Sequence, residues 1–480
     1  MRRFFLKQDK QLSRHAARLE LEPLEARQVP SVTYHGGPLL PNQEVEALYY
    51  GSQWATDPTL NAFTNQINLF LQTIVNSAYM DMLNEYNVGR GSFTGAAIDR
   101  SAAPATIDDT QIQNALVHDV ASGLLPAPDA NRVYFVYPPP GTEVTFTDSS
   151  GTLNTSGTEP NTPHFLGYHD VVPASFRTSR LFYAVVPYPG GVNGLQSGMT
   201  PLQQITFTSS HELAETGTDP DTTSGWLDDS QSSTGGGEIA DLANGQDGTL
   251  FGYDVSFIWS NTWNTSILAR PTNLLAVANA FTTSNEHYTD LVVADYQQLL
   301  GRSPAQAEIN LWLTSFTAGA TDEQVMAAFL AAPEYYQRVG GTNRAWVDAL
   351  YQQVLNRSAD TAGESAWLQV LAAGQSRTTV ATGFTTSGER EQDLIQADYQ
   401  LYLGRTASSG EVAAWLALIQ HGLKQEQMAS QFAGSGEAYF ILNGSDVNNW
   451  LTYAYQKILK RAPDTNGYNA WLQTLENGLH

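Results

Sequence analysis

The residues best suited to chemistry form an H-E-x-x-E motif at positions 211–215. The apolar pattern of residues 202–217 predicts a helix, and side chains four residues apart on a helix point the same way. His211 and Glu215 can therefore hold one divalent cation between them, as the two histidines of an H-E-x-x-H motif do. Glu212 would lie beside that cation, where it can accept a proton from a bound water molecule. This spacing predicts a metal-dependent hydrolase.

A third metal ligand is predicted in the segment 238–241, which follows Glu215 after a stretch rich in Gly, Ser and Asp. On a helix, Glu238 and Asp241 would face the same side. In gluzincin-type zinc hydrolases a downstream glutamate is the third ligand, and an acid one helical turn later supports a ligand histidine. That parallel assigns Glu238 to the metal and Asp241 to a hydrogen bond with His211.

His169 is a further candidate, because it follows Gly167 near the end of a predicted strand and could approach the site as a ligand or oxyanion donor. The alternative, which lone strand histidines favour, is a packed or surface side chain. The whole motif also has a competing interpretation, in which His211 is an ordinary polar helix residue and the glutamates are solvated. In that case the protein is a non-catalytic extracellular or cell-surface binding or signalling protein.

The composition limits the cations and partners that we expect. The 480 residues contain no cysteine, so a metal must be held by His, Asp and Glu. Zinc is the expected cation, and calcium and manganese are alternatives because two carboxylates and one imidazole make a hard site. The chain has 24 Lys plus Arg against 48 Asp plus Glu, which argues against a nucleic-acid partner. An acidic run without the order of a calcium loop is predicted to be solvated: Asp219, Asp221, Asp228 and Asp229.

The elements that must position the motif occupy residues 31–267. Helical apolar stripes are predicted within 58–86 and 107–125. Strand-like runs follow at 132–137, 165–172 and 181–187, and the H-E-x-x-E helix comes next. Zinc hydrolases of the zincin type have this order of elements before their active-site helix. The sequence therefore predicts an α+β, zincin-like domain.

Short motifs in the same region resemble the EXORDIUM, or phosphate-induced, family of plant extracellular proteins. The motifs occur in order: Tyr34-His35-Gly36-Gly37-Pro38, Leu48-Tyr49-Tyr50-Gly51, Gly167-Tyr168-His169, Tyr183-Ala184-Val185-Val186, His211–Glu215 with Trp226, Glu238–Asp241 and Trp259-Ser260-Asn261. The resemblance covers residues 31–265 and implies an extracellular protein whose H-E-x-x-E element suggests a peptidase. This chain lacks the cysteines of the plant members.

Residues 288–480 contain a repeat. Four segments share the pattern Y-Q-x-x-L-x-R, each with a tryptophan ten residues after the arginine: Tyr296–Arg302, Tyr351–Arg357, Tyr399–Arg405 and Tyr455–Arg461. Phe and Glu follow at fixed spacing in the first three units, with the Glu 38 positions after the Tyr. The fourth would need to reach position 493, so we expect it to be truncated. Linkers that are alternately long, short and long predict that the units pack in pairs.

Each repeat unit is predicted to be helical. Asp360 and Asp464 stand where they can cap the following helix, and calcium binding is the less favoured alternative. The units resemble the L-G-R-x-P-D-x-x-G-x-x-x-W repeat of unknown function in bacterial surface proteins. That resemblance implies a helical module that interacts with proteins, a peptide or a cell-surface polymer, without catalytic residues of its own.

Residues 1–30 are predicted to be a disordered leader. They carry seven basic groups, and the segment Leu19–Arg27 resembles the L-E-x-L-E-x-R export segment of planctomycete secreted and surface proteins. No apolar stretch is long enough to span a membrane. The predicted organisation is a leader at 1–30, an α+β domain at 31–267, a linker at 268–287 and all-α repeats at 288–480. We expect an exported metal-dependent hydrolase, with peptidase as the favoured class, located outside the cell or on its surface.

Overall fold

The computed structural model describes residues 30, 32–148, 150–158, 162–173, 180–228 and 237–479. The predicted leader, apart from Pro30, lies outside the described residues. The chain divides into two compact units, one formed by the residues up to Pro271 with Leu479, and one formed by Thr272–Gly478. The first is α+β and the second is all-helical. Within the described residues, no helix is both long enough and apolar enough to cross a membrane.

The first unit is built on a mixed five-stranded sheet. The described strands of the whole unit are β1 Val32–Tyr34, β2 Glu44–Tyr50, β3 Ser92–Asp99, β4 Thr106–Asp108, β5 Arg132–Tyr137, β6 Glu143–Thr147, β7 Leu153–Thr155, β8 Tyr168–Val172, β9 Leu181–Val185, β10 Trp226–Asp228, β11 Asp247–Leu250, β12 Tyr253–Ser256, β13 Ile258–Ser260 and β14 Thr265–Ile267. Its helices are α1 Gln53–Thr56, α2 Pro58–Ile74, α3 Ala78–Asp81, α4 Asp109–Ser122 and α5 Pro201–Thr218, with 3-10 turns at Met82–Tyr86 and Asp241–Ala243.

The central sheet has the order β3-β2-β5-β9-β8. Strands β2, β3, β5 and β9 are parallel, and β8 joins the edge antiparallel to β9. All five residues of β9 are buried, as are all of β5 except Arg132. Parallel strands covered on both faces are continuous apolar runs, which is why 132–137 and 181–187 were recognisable from sequence. Strands β2 and β3 were not predicted.

Strand β1 packs against segments that lie far from it in the sequence. Strand β1 pairs with β10, and the Tyr34 and Trp226 rings lie 5.5 Å apart. The Asn261 amide donates to the Val32 carbonyl at 2.6 Å, and its oxygen accepts from the Val32 N–H at 3.2 Å. Tyr86 completes this cluster, with its ring 5.3 Å from that of Trp226. The N-terminal strand is thereby fixed against the chain that follows α5.

The second unit consists of helices. They are α6 Leu274–Thr282, α7 Asn285–Asp295, α8 Gln306–Thr317, α9 Asp322–Ala331, α10 Pro333–Arg338, α11 Asn343–Leu355, α12 Thr361–Ala372, α13 Arg377–Thr385, α14 Gly388–Asp398, α15 Ser409–Gln420, α16 Gln425–Ala433, α17 Val447–Ile458 and α18 Thr465–Asn477. Three π-helical turns are described in this unit, at Tyr296–Leu300, Tyr399–Leu403 and Glu437–Leu442.

Each repeat unit has the same core. The repeat phenylalanine lies against the tyrosine and the tryptophan of its unit; in the second unit the Phe384 ring lies 4.9 Å from Tyr351 and 5.1 Å from Trp367. The repeat arginine stacks over that tyrosine and pairs with the repeat glutamate, as Arg357 does with Glu389. The tryptophans are therefore core residues, as helical spacing among aliphatic residues predicts.

The predicted helix caps are confirmed in the second and fourth units. Asp360 accepts from the Gly363 N–H at 2.8 Å, and Asp464 accepts from the Gly467 N–H at 2.8 Å. A carboxylate that satisfies these exposed N–H groups stabilises the start of α12 and of α18.

The helical unit also has a longer internal period. Helix α6 lies 103 positions before α13, and α7 lies 103 positions before α14. The packing follows this duplication. Helix α6 packs against α16, and its counterpart α13 packs against α9, which is the counterpart of α16. His287 lies 3.2 Å from the Ile458 carbonyl, and its counterpart Arg390 donates to the Val354 carbonyl at 3.5 Å. Each half of the unit therefore packs one helix against the other half, and the two helices are equivalent by the duplication.

The fourth repeat is completed by residues from the segment that was predicted to be a linker. The Phe281 ring lies 5.0 Å from Tyr455 and 5.2 Å from Trp471, the position that the repeat phenylalanine has elsewhere. Glu286 pairs with Arg461, as the repeat glutamates do with their arginines. Five residues separate Phe281 from Glu286, the spacing of the other units. Residues 268–287 therefore include a packed helix rather than only a linker. This segment supplies the phenylalanine and the glutamate that the fourth repeat lacks.

Replacing Phe281 by alanine should destabilise the helical unit by about 3–5 kcal/mol, because a buried ring is removed from the fourth core. Phe384→Ala, at the equivalent position, should cost a similar amount. Leu275→Ala is the matched control, since Leu275 lies on the same helix with 48% of its surface exposed, and it should change stability by less than about 0.5 kcal/mol. Calorimetry of the full chain measures these changes. A Phe281→Ala transition as high as that of the control would contradict completion of the fourth repeat by α6.

Candidate metal centre

Helix α5 carries the H-E-x-x-E motif through the interior of the first unit. It begins with a capping box, in which the Thr200 hydroxyl accepts from the Gln203 N–H at 3.3 Å and the Gln203 amide accepts from the Thr200 N–H at 2.8 Å. Every residue from Gln204 to Thr218 is buried. The buried hydroxyls of Ser210, Thr216 and Thr218 bond back to the helix; Ser210, for example, donates to the Phe207 carbonyl at 2.8 Å.

Three side chains from the surrounding elements fix the rotation of α5. The Tyr79 hydroxyl donates to the Ser210 carbonyl at 3.0 Å, and the Gln43 amide donates to the Leu213 carbonyl at 2.8 Å. The Tyr137 hydroxyl lies 3.0 Å from the Ser209 hydroxyl. These bonds hold the motif in one register against the sheet.

His211 and Glu215 meet as the four-residue spacing predicts. His211 Nε2 lies 3.1 Å from Glu215 Oε1 and 3.5 Å from Asp241 Oδ1. The Asp241 N–H also donates to Glu215 Oε1 at 3.2 Å. One ligand atom from each of these three residues lies within 4.8 Å of the others, so they form a group that could hold one cation. Asp241 therefore contacts both the predicted ligand histidine and a predicted ligand glutamate.

Glu238 falls into a different group. It is buried, and one of its carboxylate oxygens lies within 4.8 Å of ligand atoms of His169 and Asp219. Three ligand atoms from His211, Glu215 and Glu238 are not brought that close together, so the predicted ligand set is divided between two groups. The reason is local: residues 238–240 form a turn and the helix starts only at Asp241, so Glu238 and Asp241 do not share a helical face.

His169 connects the two groups. Its Nδ1 lies 3.1 Å from Glu212 Oε2 and 3.8 Å from Glu215 Oε2. Its Nε2 lies 3.2 Å from the Asp219 carbonyl and 4.0 Å from the Asp219 carboxylate. The side chain is 1% exposed, so it is not a surface residue, and burial lowers the pKa of the imidazole. Because β8 is the edge strand beside α5, its histidine reaches the motif from the sheet.

Asp219 was not recognised from sequence. It was predicted to belong to a solvated loop, but it is fully buried, and Asp228 is buried as well. Asp229, the last residue of that acidic run, lies outside the described residues. The signal for Asp219 was its spacing, because His211, Glu215 and Asp219 follow one another at four-residue intervals, and Asp219 is the C-cap residue of α5.

The site concentrates acidic groups where charge is costly. Among the described residues, the ion-pairing partners of Glu212, Glu215 and Asp241 are histidines, and the segment 31–270 contains no lysine. Burial raises the pKa of Glu212 to about 8. Burial and the neighbouring carboxylates, Glu238 first among them, raise the pKa of Glu215 well above its ordinary value. Without a cation, burial therefore favours the protonated, neutral form of the Glu212 and Glu215 carboxyls.

The donor set fits a divalent cation. Imidazole nitrogens and carboxylate oxygens bind zinc and manganese, and carboxylate oxygens bind calcium. Within the described residues, Glu212 Oε1 is buried and accepts no hydrogen bond. Gly167 leaves room for this oxygen, since a β-carbon there would lie 2.7 Å from it and 2.6 Å from a Thr208 methyl carbon. The Gly-Tyr-His motif thus supplies both a histidine and the space beside Glu212.

Comparison with known proteins finds one family. Residues 275–339, 326–394 and 443–480 match a family model described as "Domain of unknown function (DUF4214)". No curated protein and no solved structure matches the chain. The helical unit is therefore similar to a repeated domain of unknown function.

Proposed function

We propose that the α+β unit binds a divalent cation at the His211 cluster and acts as a metal-dependent hydrolase, with peptides as the favoured substrate class. The observation that carries the proposal is the cluster itself: two imidazoles and five carboxylates in one interior site, from His169, His211, Glu212, Glu215, Asp219, Glu238 and Asp241. Buried carboxylates are stable as anions only when a cation neutralises them. Zinc is the first candidate, and manganese and calcium are the alternatives.

The cation would be held by His211, Glu215 and Asp241. The second group, formed by His169, Asp219 and Glu238, would line the neighbouring part of the site. This assignment changes the ligand set expected from sequence, since Asp241 replaces Glu238 beside His211. A divalent cation bound here would act as a Lewis acid toward a water molecule or a carbonyl oxygen. The close approach of Asp241 to both His211 and Glu215 supports its place among the ligands.

Glu212 is the proposed proton acceptor. It is adjacent to the ligand histidine on α5, and its pKa of about 8 in the metal-free site would fall when a cation binds nearby. His169, 3.1 Å from its carboxylate, would orient it. A carboxylate held between a histidine and a cation can take a proton from an attacking water and deliver it to a leaving amine.

We propose a zincin-like architecture for this unit because the motif helix α5 follows the predicted strands β5, β8 and β9; the strands β1 to β4 are additions to the expected order. We base the proposal of an EXORDIUM-like unit on the order of its short motifs, three of which meet in the contacts of Tyr34, Trp226 and Asn261. We propose from that resemblance and from the leader that the protein works outside the cell or on its surface. The helical unit would serve as an interaction module for a protein or a surface polymer.

A second candidate is a non-catalytic module in which the cation is structural. The burial of the cluster favours it, because His211, Glu212 and Glu215 are between 0 and 2% exposed, whereas a hydrolytic site needs a route for its substrate. Both candidates require the cation, and they differ in turnover.

Hydrolysis of a mixed peptide library by the full chain separates them. The library is incubated with the protein as purified, after chelation, and after zinc or manganese is returned. Cleavage that is lost on chelation and restored by the cation supports the hydrolase. A protein that binds the cation in stoichiometric amounts but cleaves nothing in any of the three states supports the structural role.

A further inference from the structure

The helical unit contains a pocket that the proposed function does not use. It has a volume of about 340 Å³, and its walls include Thr321, Glu323, Glu391, Leu394, Ile419 and Met428. The apolar side chains come from α14, α15 and α16, and the two glutamates come from α9 and α14. Lys424 also lines the pocket, and its ammonium group donates to the Gly319 carbonyl at 3.4 Å. The volume is at the lower end of the range for small-ligand sites.

The 103-residue duplication shows what such a pocket accommodates. The position that corresponds to Glu391 is Tyr288, and the position that corresponds to Ile419 is Phe316. The Tyr288 and Phe316 rings are stacked, with centroids 4.1 Å apart and planes within 6°. The chain's own aromatic pair therefore occupies the equivalent space in the other half. Where the smaller isoleucine and the glutamate replace those rings, the space is left open.

A glutamate stands at the same position beside the open pocket and beside the filled space of the other half. Burial and, after it, the negative charge of Glu426 raise the pKa of Tyr288, and the counterpart of Glu426 beside the open pocket is Glu323. Glu391 adds a second carboxylate to the open pocket, against the single ammonium group of Lys424. A ring that enters here meets an apolar wall on one side and an excess of negative charge on the other.

We propose that this pocket binds a planar aromatic ring that carries a positive charge close to it. The ring would lie against Ile419 and Leu394, in the space that the Tyr288 ring fills in the other half. The cation would pair with Glu391 and Glu323. Two sources have this chemistry, a free arylalkylamine and an aromatic side chain next to a basic residue in a peptide.

Binding of tyramine to the full chain, followed by ligand-observed NMR, tests the proposal. For a ligand of this size we expect a dissociation constant on the order of 1 mM. The anion 4-hydroxyphenylacetate has the same ring and the opposite charge, and it should bind at least about tenfold more weakly. A lysine–tyrosine dipeptide amide distinguishes the two sources, since tighter binding than tyramine indicates a peptide and weaker binding indicates a free amine.

A double variant that rebuilds the aromatic stack supplies the decisive control. Glu391→Tyr with Ile419→Phe should fill the pocket, abolish tyramine binding and leave the melting temperature equal or higher. Gln392→Tyr adds a tyrosine at an exposed position of the same helix and should not change binding. Tyramine binding that is equal in the wild type and the filled variant would overturn the proposal. So would the absence of binding in the wild type, or equal binding of the anion.

Discussion

Replacing Glu212 by glutamine should lower peptide hydrolysis by about a hundredfold to ten-thousandfold, the usual contribution of a positioned general base. The amide has the shape of the carboxyl but cannot accept the proton that the reaction releases. Its carbonyl oxygen can still face His169, whose Nδ1 now lies 3.1 Å from the carboxylate. Because His211, Glu215 and Asp241 are unchanged, the metal content should stay at the wild-type value.

Glu46→Gln is the matched control for this variant. Glu46 is a buried glutamate of the same unit, where its carboxylate accepts from the Thr94 hydroxyl at 2.8 Å, and it lies outside the metal cluster. It should retain the wild-type rate. Initial rates on one peptide, measured beside metal content, give both quantities. If Glu212→Gln cleaved the peptide as fast as the wild type, Glu212 would not be the base.

Removing divalent cations should destabilise the α+β unit, and the loss should grow as the pH rises from about 5 to about 8. In the metal-free protein, burial holds the pKa of Glu212 at about 8 and that of Glu215 well above its ordinary value. A carboxyl whose pKa is raised by folding contributes stability below its unfolded pKa and loses it as the pH rises toward the folded value. The metal-free protein therefore weakens across that range. A bound cation neutralises the anions and suppresses the loss.

The size of this effect follows from mass action. A cation present at about a thousand times its dissociation constant stabilises the folded state by about 4 kcal/mol. Thermal melts of the full chain with and without chelator, at pH 5.5 and at pH 8, measure the difference. Glu215→Gln removes one proposed ligand of the cation, so its melting temperature should respond much less to the chelator. A wild-type melting temperature that does not change on addition of the chelator at either pH would argue against a bound cation.

The sequence predicted those parts of the structure that depend on local spacing. Four-residue spacing predicted that His211 lies beside Glu215, and apolar runs predicted the strands β5 and β9. The same reasoning placed the caps Asp360 and Asp464. In each case the interaction lies within one element, or the burial of one element determines it.

The misses concern interactions between elements. Glu238 was assigned to the His211 site on the assumption of a helix that starts three residues later, at Asp241. His169 was named as a candidate from its position after Gly167, but the packed or surface alternative was favoured because sequence spacing does not reveal that β8 lies at the sheet edge beside α5. Phe281 lies 174 positions before Tyr455, whose repeat it completes, and its segment lacks the tyrosine and arginine that made the other units recognisable.

The metal content of the purified full chain is the most direct test of the central claim. Inductively coupled plasma mass spectrometry of the wild type and of Glu215→Ala, after dialysis against zinc, manganese and calcium in turn, measures it. The account predicts about one or more equivalents of one divalent cation in the wild type, since the cluster offers overlapping ligand groups. It predicts a clear loss of that cation in Glu215→Ala, because Glu215 contributes to the groups around both His211 and His169. No bound divalent cation in either protein would contradict the account.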